Sequence, residues 1–134
     1  MGRKIGWYVS IAVLLLTSAL SLLNEPGEFK TATTALQMSV TVGGLAHAIV
    51  GLAAAAALIR KAPAARWLTL LWTLIVAYVS STASIAYGGD DATIAGAIAG
   101  GLGAALIGLA INWCARVITR EPNAAVGQPS AAVR

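Results

Sequence analysis

Residues 35–59 read ALQMSVTVGGLAHAIVGLAAAAALI, a run of 25 with no Asp, Glu, Lys or Arg. About 20 predominantly apolar residues are enough for a helix to cross the hydrocarbon of a bilayer. The run lacks the period-2 alternation of a barrel strand, so in lipid its backbone must bond to itself as a helix. Thr34-Ala35-Leu36-Gln37 has the form of a capping box, Thr at the N-cap with Gln three residues on, and places the helix start there. Arg60-Lys61 and Pro63 close the other end.

Three further runs share this character: Ile5–Leu23, Trp67–Tyr87 and Ala92–Ala115, of 19, 21 and 24 residues, again without a formal charge. The whole chain of 134 residues is 58% hydrophobic and only 10% charged, whereas a soluble domain carries about 25% charged residues. The fold class expected is therefore all-α, an integral membrane bundle of four transmembrane helices. The helices are placed at about 5–23, 35–59, 67–87 and 92–117, in one domain over 1–121, with a flexible cytoplasmic tail over 122–134. A secretory signal has an apolar core of about 7–15 residues. The first run is longer, which predicts a retained helix.

Asn24 and Pro26-Gly27 are expected to stop helix 1, and Gly88-Gly89 to end helix 3. Asp90 and Asp91 then stand where carboxylates favour the start of helix 4, and Pro122 closes it. Arg3, Lys4, Arg60, Lys61, Arg66, Arg116, Arg120 and Arg134 fall on one side of the four spans, and Lys30 alone on the other. The positive-inside rule places that basic side, with both termini, in the cytoplasm. Trp7, Tyr8, Trp67 and Trp113 mark the same boundary, and Phe29 and Tyr87 the opposite one. Short loops and an Ala/Gly-rich composition point to a bacterial inner membrane. The net charge of +4 is a topology signal rather than a nucleic-acid footprint, because the basic residues come in twos and threes between apolar runs.

Small residues set the expected packing. Ala92, Gly96, Gly100, Ala104 and Gly108 recur every four residues on helix 4, with Ala95, Ala99 and Gly103 beside them and Ile94, Ile98, Leu102 and Leu106 as a bulky ridge. Gly43, His47, Gly51 and Ala55 repeat the spacing on helix 2. Such stripes let backbones approach closely. The simplest arrangement packs helix 2 against helix 4 within one bundle; the rival uses the helix 4 stripe between protomers.

His47 is the one ionisable residue at depth, 13 positions before Arg60 and so about 20 Å along the helix from that end. An intramembrane ionisable residue is a functional candidate by default. It can accept a hydrogen bond from a ligand, relay a proton or ligate a tetrapyrrole, and Gly43, Gly44 and Gly51 would make room for a flat ring. A polar stripe of Thr73, Ser80, Ser81, Ser84 and Tyr87 on helix 3 would complete a ligand-contact set of His47, Ser80, Ser84 and Tyr87. Against this stand the lack of a second histidine and of any buried carboxylate to share a metal. A neutral His47 bonded to a helix 3 hydroxyl accounts for the residue without a ligand. No metal and no resident cofactor is expected. Hydroxyls in the spans also bond to their own i−4 carbonyls, Glu25, Glu28, Asp90 and Asp91 are read as caps and loop charges, and Gln37 and Asn112 as boundary residues. Cys114, the only cysteine, is read as a small apolar side chain.

Gly43-Gly44-Leu45-Ala46-His47-Ala48-Ile49-Val50-Gly51, Ile59-Arg60-Lys61 and Ala65-Arg66-Trp67-Leu68 give the span from helix 2 to helix 3 a layout that resembles small, uncharacterised bacterial four-helix membrane proteins of the DoxX type. The resemblance implies the fold and the membrane; it brings no catalytic residues. Small multidrug transporters carry an acid in helix 1, which this chain lacks, and vitamin K epoxide reductase-like proteins need cysteine pairs. With no catalytic constellation, the function expected is non-enzymatic: an accessory or assembly subunit, or a homo-oligomer, acting through helix–helix contacts. The partners expected are the lipid bilayer and other membrane subunits or further copies, and no nucleic acid. The alternative is a carrier or binding protein for a small hydrophobic ligand (quinone, pigment or lipid) in the bundle.

Overall fold

The computed structural model describes residues 2–89 and 93–119, the side chains of residues 2, 3 and 25 excepted. Helices α1 (Gly2–Thr31), α2 (Ala35–Ile59), α3 (Ala65–Tyr87) and α4 (Ile94–Thr119) follow one another, each long and apolar enough to cross a membrane. The described residues contain no strand. The expected caps at Asp90 and Asp91, Ala92 at the head of the helix 4 stripe, and the tail over 122–134 lie outside the described residues.

The expected stop of helix 1 is corrected. Asn24 and Pro26-Gly27 do not end α1, and Pro26 sits inside it. Proline's fixed φ is already helical; what it removes is the bond that its N–H would give the Leu22 carbonyl. Leu22 and Pro26 are exposed, so that carbonyl can find another donor. Beyond Pro26 the Thr31 hydroxyl bonds the Gly27 and Glu28 carbonyls at 3.3 and 3.2 Å, and Lys30 in the last turn suits the negative end of the helix dipole. Thirty residues reach about 45 Å, well past the roughly 30 Å of a hydrocarbon core.

The other boundaries follow local chemistry. At α2 the Thr34 side chain accepts from the Gln37 N–H at 3.1 Å, and the Gln37 side chain accepts from the Thr34 N–H at 3.2 Å, which completes the capping box. At its far end the Lys61 N–H reaches the Leu58 carbonyl at 3.0 Å and the Ala62 N–H the Ala57 carbonyl at 2.9 Å, the paired bonds of a Schellman end. That motif puts the residue after the cap in the left-handed region, where glycine is usual; here it is Lys61, at φ 51°. Its ammonium lies 5.9 Å from the Trp7 ring centroid, a cation–π contact that holds the turn against α1. α3 starts at Ala65, two residues before Trp67, and ends at Tyr87 against Gly88. Gly89 adopts φ +53°, which a glycine takes at little cost.

The helices pack in chain order, α1 on α2, α2 on α3 and α3 on α4, with a smaller contact between α1 and α4. Gly6 meets Cys114 Sγ in that last contact, at 3.4 Å from a notional Cβ. The expected pairing of helix 2 with helix 4 is therefore corrected: α3 lies between them. Their small faces end on α3 from two sides. Gly43 faces Val79 and Tyr78, while Gly100, Gly101 and Gly108 face Ser80, Ser81 and Thr73. The reason lies in the helix 3 stripe. Its hydroxyl residues are themselves small, so α3 offers α4 the shallow surface that glycines can approach.

The apolar core gathers Leu14, Ala54, Ala55, Leu58, Ala65, Trp72, Ile111 and Ala115 from all four helices. At this end of the bundle the Trp7 indole N–H donates to the Leu58 carbonyl at 3.1 Å. Asn112 donates to the Arg66 carbonyl and, at 2.8 Å, to Thr69 Oγ1. Asn112 is thus a buried tie between α4 and α3, close to the boundary that Arg66 marks. Lys4, Arg60, Lys61, Arg66 and Arg116 belong to this same end by their places at the helix termini.

Candidate functional site

His47 lies midway along α2 and is 6% exposed. Its Nδ1 is 3.1 Å from Ser21 Oγ, so its polar partner comes from α1, and the expected bond to a helix 3 hydroxyl is not formed. The imidazole also lies against Trp72 of α3, ring centroids 5.3 Å apart and planes tilted by 34°. Three helices therefore converge on one ring.

The local sequence explains the convergence. His47 and Gly51 are four apart on α2, and Ser21 and Ser18 three apart on α1. Those spacings keep each pair on one helix face. The antiparallel run of the two helices sets Ser21 opposite His47 and Ser18 opposite Gly51. A Cβ on Gly51 would collide with Ser18 Oγ and stand 2.9 Å from Trp72 Nε1. Glycine is thus required here for the approach of α1 and for the indole that lies over both.

This packing takes up the room expected for a flat ring at two of the three glycines, Gly51 and Gly43. Ser18 and Trp72 occupy the surface of Gly51, and Val79 Cγ2 lies 2.8 Å from a notional Cβ on Gly43.

The remaining members of the expected ligand-contact set are spread along α3. Ser80 meets α4, its carbonyl 3.0 Å from a notional Cβ on Gly100, and Ser84 follows one turn on. Tyr87 Oη lies 3.3 Å from Thr41 Oγ1, and it donates to the Gln37 carbonyl at 3.5 Å. Thr41 is six residues from His47, about 9 Å along α2. The structure gathers His47 with Ser21, Ser18 and Trp72, and leaves Ser80 and Tyr87 in two other contacts.

Most hydroxyls in the spans bond backward to their own helix: Ser10 to Gly6, Thr17 to Val13, Thr69 to Ala65, Thr73 to Thr69 and Thr82 to Tyr78, at 2.7–2.8 Å. Ser18 is different. Its Oγ, Trp72 Nε1 and His47 Nε2 are all buried and find no hydrogen-bond partner among the described residues. Ser18 was hidden in the sequence by its ordinary neighbours; the signal was its spacing of three from Ser21, opposite the His47/Gly51 pair.

Glu28 is half-buried in α1, while Asp90, Asp91 and the Glu25 side chain lie outside the described residues. Among the described residues no three of His, Cys, Asp and Glu gather where they could hold a metal ion. Cys114 is a free thiol, half-buried.

Of the expected packing residues, Gly51 and Gly108 are buried, Gly43, Gly100 and Ala104 are half-buried, and Gly96 is exposed. In comparisons with known proteins, no family model matches this chain, and no curated protein and no solved structure matches it.

Proposed function

We propose that this chain is a multi-pass protein of a bacterial inner membrane, with both termini in the cytoplasm, that works through helix–helix contact as an accessory or assembly subunit or as a homo-oligomer. The observation that supports this reading most is the outer face of α4. Ala95, Ala99, Gly103 and Ala110 are exposed there, flanked by Ile94, Ile98, Leu102 and Leu106, each more than half exposed. A Cβ on Gly103 would meet nothing within 4 Å. Lipid tails solvate bulky apolar side chains well, and a helix that met only lipid would gain nothing from this stripe. A second helix gains close backbone approach, which drives association where the hydrophobic effect is absent. One end of the bundle adds support: Lys4, Arg60, Lys61, Arg66 and Arg116 stand at helix ends there, and Tyr8, Trp67 and Trp113, near those same helix ends, are exposed, as members of an interfacial belt would be.

The rival reading, a carrier for a quinone, pigment or lipid at His47, has less support, because side chains occupy the surfaces of Gly43 and Gly51 beside the imidazole.

Gly103→Ile tests the proposal. The site has open space, so the bundle itself should keep or slightly raise its thermal midpoint, while association with a partner chain or with further copies in mild detergent falls at least tenfold. A wild-type chain that runs as a clean monomer carrying a bound pigment, quinone or lipid would sink the assembly reading. Orientation has a separate test, in a Cys114→Ser background. Ala62→Cys should react with an impermeant thiol reagent only after the membrane is opened, and Gly27→Cys in intact cells. The reverse pattern overturns the assignment.

A further inference from the structure

We propose that Ser18 Oγ, Trp72 Nε1 and His47 Nε2 together hold a single water molecule midway along the bundle, where α1, α2 and α3 meet. All three atoms are buried and without a partner among the described residues, and their residues are 0%, 2% and 6% exposed. Buried polar atoms are rarely left unmade, and buried water satisfies them where two to four polar groups converge. Convergence follows from the packing. Ser18 Oγ and Trp72 Nε1 both lie at Gly51, and His47 is one turn away on the same face with its ring against Trp72.

The chemistry of the three atoms selects the occupant. An indole N–H only donates, so the occupant must present a lone pair. A hydroxyl takes either role, and so does the imidazole Nε2, according to whether Ser21 donates to or accepts from Nδ1. Water, with two lone pairs and two protons, suits every combination in which no more than two of the three atoms donate. An anion suits only the case in which all three atoms donate, and it would lie far from a compensating charge. The nearest cation along α2 is Arg60, nine residues beyond Gly51 and about 14 Å away. The wall on that side is apolar: Leu14, Ala54, Ala55 and Leu58. Size points the same way, since Ser18 and Trp72 already lie against Gly51. This inference is independent of what docks on α4.

The test uses the full chain, labelled with ¹⁵N, in lipid nanodiscs. Trp72→Phe identifies the Trp72 indole signal among the four tryptophans. The expected result is a cross-peak between the Trp72 indole proton and water, with the sign of a long-lived bound molecule. It should persist in Ser18→Ala, where Trp72 and His47 still hold the water. Alanine is smaller than serine and a better helix former, and Ser18→Gly repeats the measurement if that variant does not fold. Three results each overturn the proposal. One is the absence of the water cross-peak in the wild type. Another is its loss in Ser18→Ala, which would mean that the serine hydroxyl proton was the reporter. The third is a shift of the Trp72 signal when chloride is exchanged for gluconate, which would make the occupant an anion.

Discussion

α2 and α4 are built from nearly the same alphabet, Gly, Ala, Leu, Ile and Val with few polar residues, yet they lie in different surroundings. In its most apolar stretch α2 buries 44% of its residues, α4 only 22%. α2 has α1 on one side and α3 on the other, whereas α4 rests on α3 and has a smaller contact with α1, where Gly6 meets Cys114. A small-residue stripe is thus a licence for close approach that does not specify the neighbour. On α2 the licence is used twice, at Gly43 toward Val79 and at Gly51 toward Ser18 and Trp72. On α4 it is used along one face, at Gly100, Gly101 and Gly108, and left unused at Gly103.

The sharpest way to break that comparison is to fill the inner face of α4. A Cβ on Gly108 would stand 2.7 Å from Thr73 Cβ, and Thr73 is held by its bond to the Thr69 carbonyl at 2.7 Å. A contact with Cβ cannot be relieved by rotating a side chain, so the helices must separate. Gly108→Ala is expected to destabilise the bundle by about 3 kcal/mol, the upper range for overpacking, read as a drop in the midpoint of unfolding in detergent. An unchanged midpoint would mean that α4 is not seated on α3 as described.

Gly51→Ala is the matching substitution on α2, with a smaller expected cost of about 2 kcal/mol. Its worst contact is with Ser18 Oγ, the end of a side chain that can turn toward its own helix, though Trp72 then has to give as well. The Trp72 indole NMR signal should shift along with the midpoint. A shift in stability with no change in the indole signal would detach the glycine from the tryptophan.

These two glycines also show what was legible beforehand. The four helices, each long and apolar enough to cross a membrane, could be read because the absence of charge over a run such as Ala35–Ile59 needs no tertiary information. The α2 start was legible because Thr34 and Gln37 cap it through local bonds. The end of α1 was not, since Pro26 signals a break only if its lost hydrogen bond cannot be replaced. Nor was the partner of each stripe, because small residues carry no mark of the surface they meet. His47 was legible as the deep ionisable group. Its surroundings were not: Ser18 and Ser21 resemble any serines that bond back to their own helix, and only the register of α1 on α2 brings them to the imidazole.

Asn112 tests whether polar ties or glycines fasten α4. Its amide donates to the Arg66 carbonyl and to Thr69 Oγ1. In Asn112→Leu the Thr69 hydroxyl keeps its bond to the Ala65 carbonyl at 2.8 Å, so the loss is confined to the interhelical pair. The expected cost is about 1 kcal/mol, within the range measured for such bonds in membrane bundles. A loss larger than that of Gly108→Ala would reverse the ranking and make the asparagine the principal fastening.

The smallest effect is expected where the comparison turns on sign. Gly103→Ala adds a methyl group to the exposed face of α4, where it meets nothing within 4 Å. For the isolated bundle, replacing an unstrained helical glycine should stabilise by roughly 0.5–1 kcal/mol, because glycine loses more backbone freedom on folding than alanine. If a second helix packs on this face, the same methyl group stands in its way, and association should weaken while the monomer gains. The two readouts then move in opposite directions in one variant. If instead the monomer gains stability and association is unchanged, Gly103 faces lipid alone. The unused stripe would then be a product of composition, and α4 would differ from α2 only in having fewer neighbours.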